Sequence, residues 1–212
     1  MTTPSLGRPV GADGEKTRRR ILNAAMHCVA RSGYSGTTIR EIARAAGMSS
    51  AALYNYFPNK SELISAAIAA RADTALPRLR RAAARPGTVV DRLDAVLDES
   101  GRLMREHPDL AAFQFAIRAD NAVDMPVADT AGFEAMRKII REIVADTSLS
   151  GAELDAAVEA IYALIYGLTE LAATAPAERY QRALGAVKHL IRGTLFVDEG
   201  QAFVGKGQTP SR

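Results

Sequence analysis

Residues 36–60, GTTIREIARAAGMSSAALYNYFPNK, hold two short helical patterns separated by a glycine, and their register decides the fold. Thr38 stands where its hydroxyl accepts from the N–H of Glu41 while the Glu41 side chain reaches back, the capping box that starts a helix. Ile39 and Ile42 face inward, and Ala43 is small enough to let a second helix cross closely. Gly47 supplies the left-handed backbone that a sharp turn needs. Met48 follows as a buried contact, Ser49 caps the next helix, and Leu53 faces the core. That leaves Ser50, Ala51, Tyr54 and Asn55 on the outer face. A helix with such a face fits the major groove of DNA, its first turn nearest the bases. An ordinary helical hairpin also ends its first helix at a glycine. Here the small residue, the glycine, the buried positions and the polar first turn coincide in register, which favours a helix-turn-helix DNA reader.

The flanking residues support this reading. Upstream, Ile21, Leu22, Ala25, Met26 and Val29 form the buried stripe of a helix from about Glu15 to Ser32, ended by Gly33, with Tyr34 packed beneath the next turn. Arg18, Arg19 and Arg20 near its start suit phosphate contact. Downstream, Pro58 stops the recognition helix and Asn59 caps a fourth, with Glu62 as its partner. Lys60 is badly placed for that helix's dipole, which a phosphate at the same end would explain. This helix runs to about Leu76 and joins the reader to the rest of the chain. Residues 1–60 carry nine Lys or Arg against three Asp or Glu, whereas the whole chain is only +3, so phosphate affinity belongs in the N-terminal quarter.

Residues 16–68 resemble the N-terminal domain of the TetR family of bacterial transcriptional regulators. The carrying residues are TRRRILNAAMHCVARSGYSGTTIREIARAAGMSSAALYNYFPNKSEL: the basic entry to helix 1, the Gly33-Tyr34 turn, Thr37-Thr38-Ile39 with Ile42-Ala43, Ala46-Gly47-Met48-Ser49, and Leu53-Tyr54 through Lys60. The likeness covers about a quarter of the chain. It implies an all-α fold, with an N-terminal three-helix, homeodomain-like helix-turn-helix domain and a C-terminal helical domain for ligand binding and dimerisation. The expected divisions are a flexible tail over 1–13, the DNA-binding domain over 14–60, the effector-binding and dimerisation domain over 61–198, and a second tail over 199–212. The expected function is a homodimeric repressor released from double-stranded operator DNA by a small-molecule effector.

Base-edge readout falls to Ser49, Ser50, Ala51 and Asn55, whose groups pair with bases or touch a thymine methyl. Tyr54 and Lys60 are expected at phosphates, and the resemblance adds Thr38 and Tyr56 as backbone contacts. Beyond a basic break at 77–88, bounded by Pro77 and by Pro86-Gly87, helices are predicted over 89–106, 108–119, 126–147, 151–174 and 176–195. Ser150 is positioned to cap the fourth of these. Leu154, Val158, Ile161, Ile165, Leu168 and Ala172 form one apolar seam, and Ala157, Ala160, Leu164 and Leu171 a second beside it. Both stripes fit an intramolecular core. The resemblance implies instead that the last two helices form a dimer interface, assigned to Ile161, Ile165, Leu168, Leu184, Val187 and Ile191. An apolar effector pocket is expected between helix 4 and the helices of 89–174, with Phe113, Phe133 and Tyr162 on its wall. Few charged groups border it, so a strongly anionic ligand requires Arg105 or Arg118 to turn inward.

Composition narrows the other classes. Among 212 residues there is one cysteine, Cys28, in the apolar stretch of helix 1, where a buried structural thiol is expected and no intramolecular disulfide is possible. Three histidines, His27, His107 and His189, show no metal spacing, and no cofactor is expected. No nucleophile elbow, phosphate loop or HExxH stands in the chain, which argues against an enzyme. A purely architectural DNA binder has no need of the polar recognition turn. No apolar stretch of membrane-spanning length and no leader are read, so a cytoplasmic protein without a membrane partner is expected.

Overall fold

The computed structural model describes residues 12–120 and 127–193. Its elements are α1 (Ala12–Gly36), α2 (Ile39–Ala45), α3 (Ser50–Tyr54), α4 (Lys60–Ala83), α5 (Val89–Glu106), α6 (Pro108–Ala119), α7 (Val127–Val144), α8 (Gly151–Thr174) and α9 (Ala177–Ile191). The ends of these helices follow local chemistry. Thr38 and Glu41 form the reciprocal cap of α2, and Thr88 and Asp91 repeat it at α5. Asn59 accepts from the Glu62 N–H at 2.8 Å to start α4, and Pro108 opens α6. Ser150 stands at the N-cap of α8 but makes no side-chain cap bond, contrary to the sequence reading.

Several boundaries differ from expectation. Helix α1 begins at Ala12, inside the expected tail, because Asp13 and Glu15 complement its N-terminal dipole. Its regular run breaks at Gly33 (φ 72°), and one further turn carries the chain to Gly36. Helix α4 does not stop at the expected break. It continues through Pro77 because Leu79, Ala82 and Ala83 beyond the proline are buried, which offsets the lost backbone bond. Helix α9 ends at Ile191, with Gly193 in the left-handed conformation. Residues 1–11, 121–126 and 194–212, including the tail expected over 199–212, lie outside the described residues.

Three apolar clusters hold the helices. The first joins Ile21, Ala25 and Val29 of α1, Ile42 of α2, Leu53 of α3 and Leu63, Ile64 and Ala67 of α4 with Leu110, Phe113 and Ile117 of α6. The second packs Leu79 and Ala82 of α4 on Val96 and Leu103 of α5 and Ile139 and Ile143 of α7. The third gathers Leu97, Ile140, Val158, Ile165, Leu168, Tyr180 and Leu184 from α5, α7, α8 and α9. Helix α4 therefore enters the first two clusters. Asp94 of α5 is buried and paired with Arg192 just after α9, and Lys188 lies 4.0 Å away, pinning the last helix.

Helix α8 corrects one sequence expectation. It is long and apolar enough to cross a membrane, with a mean hydropathy of 1.4 over its best window, because alanines raise its hydropathy without adding bulk. Only 17% of that window is fully buried within the chain; one side of the helix packs into the third cluster and the other is exposed.

Candidate functional site

Helices α2 and α3 present the reader. Ile42 and Leu53 are fully buried beneath it and Phe57 nearly so, which fixes the angle at which α3 is held. Burying a leucine contributes about 1.5–3 kcal/mol, so a small helix of five residues depends on this anchor rather than on its own propensity. Gly47 (φ 65°) makes the turn, and the Ser49 hydroxyl accepts from the Ala52 N–H at 3.1 Å. Ala51, Asn55 and Ser49 are exposed and Ser50 partly so. Tyr54 and Tyr56 are 51% and 38% exposed, unusual for large rings within a folded domain. Thr38 is exposed at the start of α2. All eight sequence-assigned DNA contacts are at least partly exposed, and seven of them precede α4.

Lys60 is the exception. Its ammonium donates to the Tyr34 carbonyl and sits 4.1 Å from the centre of the Tyr34 ring. Burial lowers its pKa, and the carboxylates of Asp120 and Glu41 oppose that. Its place at a helix N-terminus is therefore explained inside the chain, by the carbonyl at the α1 break, without a phosphate. Arg18 likewise lies over the Phe57 ring at 5.1 Å. Cys28 is half-buried rather than enclosed, and desolvation raises its pKa, which suits a packing role.

A cavity opens where α4 leaves the reader. It holds about 720 Å³ of empty space, its open mouth included. Ile68, Ala75, Leu76 and Leu79 of α4, Leu103 and Met104 of α5, Met136 of α7 and Ile165 of α8 make its apolar wall. Arg71, Gln114, Arg118, Tyr162, Tyr166 and Thr169 make its polar part. Tyr162 is where the sequence reading puts it. Its phenol pKa is raised by desolvation, partly offset by Arg118, which hydrogen-bonds it. Phe113 is not on this wall. It is 1% exposed in the first apolar cluster, because its face of α6 packs against the reader. The Phe133 side chain lies outside the described residues. Sequence reasoning missed Arg71 and Gln114, since a polar residue within a helix reads as solvent-facing; Arg118 borders the cavity, whereas Arg105 is exposed and does not. A roomier cleft between α1, α4 and the α5–α6 corner is bordered by Glu15, Arg18, Arg19, Asp73, Glu106 and Asp109. Its mixed charges fit a small-molecule site less well.

The sequence profile of the bacterial regulatory proteins of the tetR family matches residues 21–67. The HTH-type transcriptional regulator PksA of Bacillus subtilis is 30% identical over 166 residues, covering 76% of this chain and 80% of that protein. The chain belongs to the TetR family of bacterial transcriptional regulators. The HTH-type transcriptional repressor KstR of Mycolicibacterium smegmatis is 31% identical over 113 residues, half of this chain and 55% of that protein. Among solved folds, the regulator FadR of Bacillus subtilis, crystallised with stearoyl-CoA, superposes with a TM-score of 0.69 at 17% identity, covering 84% of this chain and 96% of that one. GusR of Salmonella enterica superposes at 0.67 and 24% identity, covering 91% and 99%.

In this TetR-family regulator the seam assigned to dimerisation is largely spent within the chain. Ile165, Leu168 and Leu184 are buried in the third cluster, and Ile161, Val187 and Ile191 pack against it. The reason is helical phase: these residues lie on the sides of α8 and α9 that close over α5 and α7. The opposite side of α8 carries Ala156, Ala160 and Ala163, all exposed, with Leu164 and Gly167 partly so. On α9, Ala186 and Leu190 are exposed, Leu190 by 42%.

Proposed function

We propose that this regulator is a homodimeric, sequence-specific repressor that leaves its operator when a small apolar or amphipathic effector enters the α4–α8 cavity. One observation carries the reading: α4 is a single helix whose first turn follows the DNA reader and whose middle forms a wall of the cavity. A ligand with different affinities for two tilts of α4 shifts the population between them, and the reader moves with the helix. Ser49, Ser50, Ala51 and Asn55 read base edges. Thr38, Tyr54, Tyr56 and Lys60 hold phosphates, Lys60 after exchanging its bond to Tyr34. Residues 14–60 act as the DNA-binding domain and 61–198 as the effector and dimerisation domain, working in the cytoplasm where the operator lies.

Dimerisation is assigned to the outer side of α8, with α9 beside it. Small residues there let a second copy approach closely, and Leu164 and Leu190 supply apolar area that a monomer leaves wet. A symmetric pair sets two α3 helices in successive major grooves, about 34–36 Å apart. The test is a mobility-shift titration of the purified protein on DNA from upstream of its own gene against random duplex, with sedimentation in parallel. Selective binding by a dimer supports the reading. Equal affinity for both duplexes, or a monomer at micromolar concentration, overturns it.

A further inference from the structure

Four residues, Gln114, Arg118, Tyr166 and Thr169, border both the α4–α8 cavity and a second opening between α6 and α8. The rim of that opening carries Phe115, Ala119 and Glu170, all exposed. Three of the four shared residues are tied down. The Thr169 hydroxyl donates to the Ile165 carbonyl at 3.0 Å, Gln114 accepts from Arg71 of α4, and Arg118 hydrogen-bonds the Tyr162 phenol. Tyr166 is different. It is 39% exposed, and its ring rests under the Arg118 guanidinium, 4.0 Å from its centre, with the Tyr162 ring 6.3 Å away and tilted by 54°. Face contacts of this kind are weak at an exposed position. A tyrosine on a helix has two favoured χ1 wells, and an exposed ring passes between them on the order of nanoseconds. Tyr166 also lies about 200° round α8 from Leu164, so a second copy on the outer side leaves it uncovered.

We infer that the effector enters and leaves between α6 and α8, and that the Tyr166 ring is the lid of this passage, closed when it rests on Arg118. The inference rests on the effector reading above and adds the route to it. Arg118 is the post and Tyr166 the moving part: the ring swings off the guanidinium while Arg118 keeps its bond to Tyr162. Opening this way gives up one cation–π contact and wets one ring. Parting α4 from α5 instead would expose Leu79 and Leu103, which line the cavity and are buried in the second cluster, at a greater cost. Phe115, exposed at the rim, gives an apolar guest its first foothold. A lid that is closed most of the time scales entry and exit by the same open fraction. It therefore sets the rates and leaves the affinity in place.

Stopped-flow mixing of the full-length protein with N-phenyl-1-naphthylamine, a neutral apolar probe that brightens on leaving water, tests this. Tyr166→Ala is expected to raise the association and dissociation rates each about tenfold while Kd moves by less than about threefold. Tyr166→Phe keeps the ring and is expected to stay within about twofold of the wild-type rates, which separates loss of the lid from loss of the hydroxyl. Ala119→Trp overhangs the opening from an exposed position outside the cavity, and is expected to slow both rates with little change in Kd. Ala75→Trp fills the cavity from α4 and is expected to abolish binding. Unchanged rates in either Tyr166→Ala or Ala119→Trp overturn the route and leave the cavity standing. A Tyr166→Ala variant that loses affinity through faster dissociation alone makes Tyr166 a wall residue and overturns the lid. Failure of the probe to bind the wild type, or unchanged binding by Ala75→Trp, overturns the route together with the cavity reading.

Discussion

Ser35 and Asp120 join the reader to the helix that borders the cavity. The Asp120 carboxylate accepts from the Ser35 N–H at 2.6 Å and from its hydroxyl at 2.9 Å. Asp120 follows α6, which carries Gln114 and Arg118, and Ser35 lies between the Gly33 break and the start of α2. Asp120→Ala is expected to speed hydrogen exchange of the Ser35 amide and to blunt the effect of effector on DNA binding. Unchanged exchange at Ser35 would show that the contact does not persist in solution.

Acid should loosen the helix starts. Thr38 holds the Glu41 carboxyl below its usual pKa through backbone and side-chain hydrogen bonds, and Thr88 does the same for Asp91. A carboxyl with a depressed folded pKa contributes stability above its unfolded value, and that contribution is lost as pH falls through the folded one. The urea midpoint is therefore expected to hold level down to about pH 4 and to fall below it. Glu41→Gln should flatten part of that decline. A midpoint as steep in Glu41→Gln as in the wild type would remove Glu41 from the account.

Lys60 and Asn55 should separate affinity from specificity. Lys60→Ala is expected to weaken binding about equally on all sequences and to lower the salt slope by about one. Asn55→Ala should relax one symmetric pair of operator positions, at a cost of about 1–3 kcal/mol on the preferred sequence. A salt slope unchanged by the first, or a sequence preference unchanged by the second, would limit that residue to a structural role.

The two sides of α8 should answer differently to charge. Ile165→Glu buries a carboxylate in the third cluster and is expected to unfold the C-terminal helices. Leu164→Glu on the outer side should give a folded monomer with native helicity by circular dichroism and half the sedimenting mass. A folded dimer from Leu164→Glu would place the interface elsewhere.

Legibility followed the range of the interactions involved. Caps and turns depend on neighbours three or four residues away, so Thr38–Glu41, Gly47, Ser49 and Asn59 could be read directly, and α5, α6 and α8 were bounded to the residue. Phe113 and Ile165 show the opposite case. Apolar periodicity marks them as inward-facing, but whether they meet the reader, the cavity or the bundle core depends on how the helices dock. Pro77 was misleading because propensity opposes it locally while the buried Leu79 side, packed from α5 and α7, carries the helix onward. Arg71 was invisible because nothing within its own turn distinguishes a cation over a cavity from one over water.

The uninterrupted run of α4 also has a mechanical consequence. Twenty-four residues make a rod about 36 Å long. Pivoted near its far end, it converts a tilt of about 5° at the cavity into about 3 Å of travel at Asn59, comparable with one base-pair step, about 3.4 Å. Pro77 lies within this rod, between Leu76 and Leu79 of the cavity wall, where one backbone hydrogen bond is missing. The rod is weakest close to where a guest would press on it, while the stretch that carries motion to the DNA remains stiff.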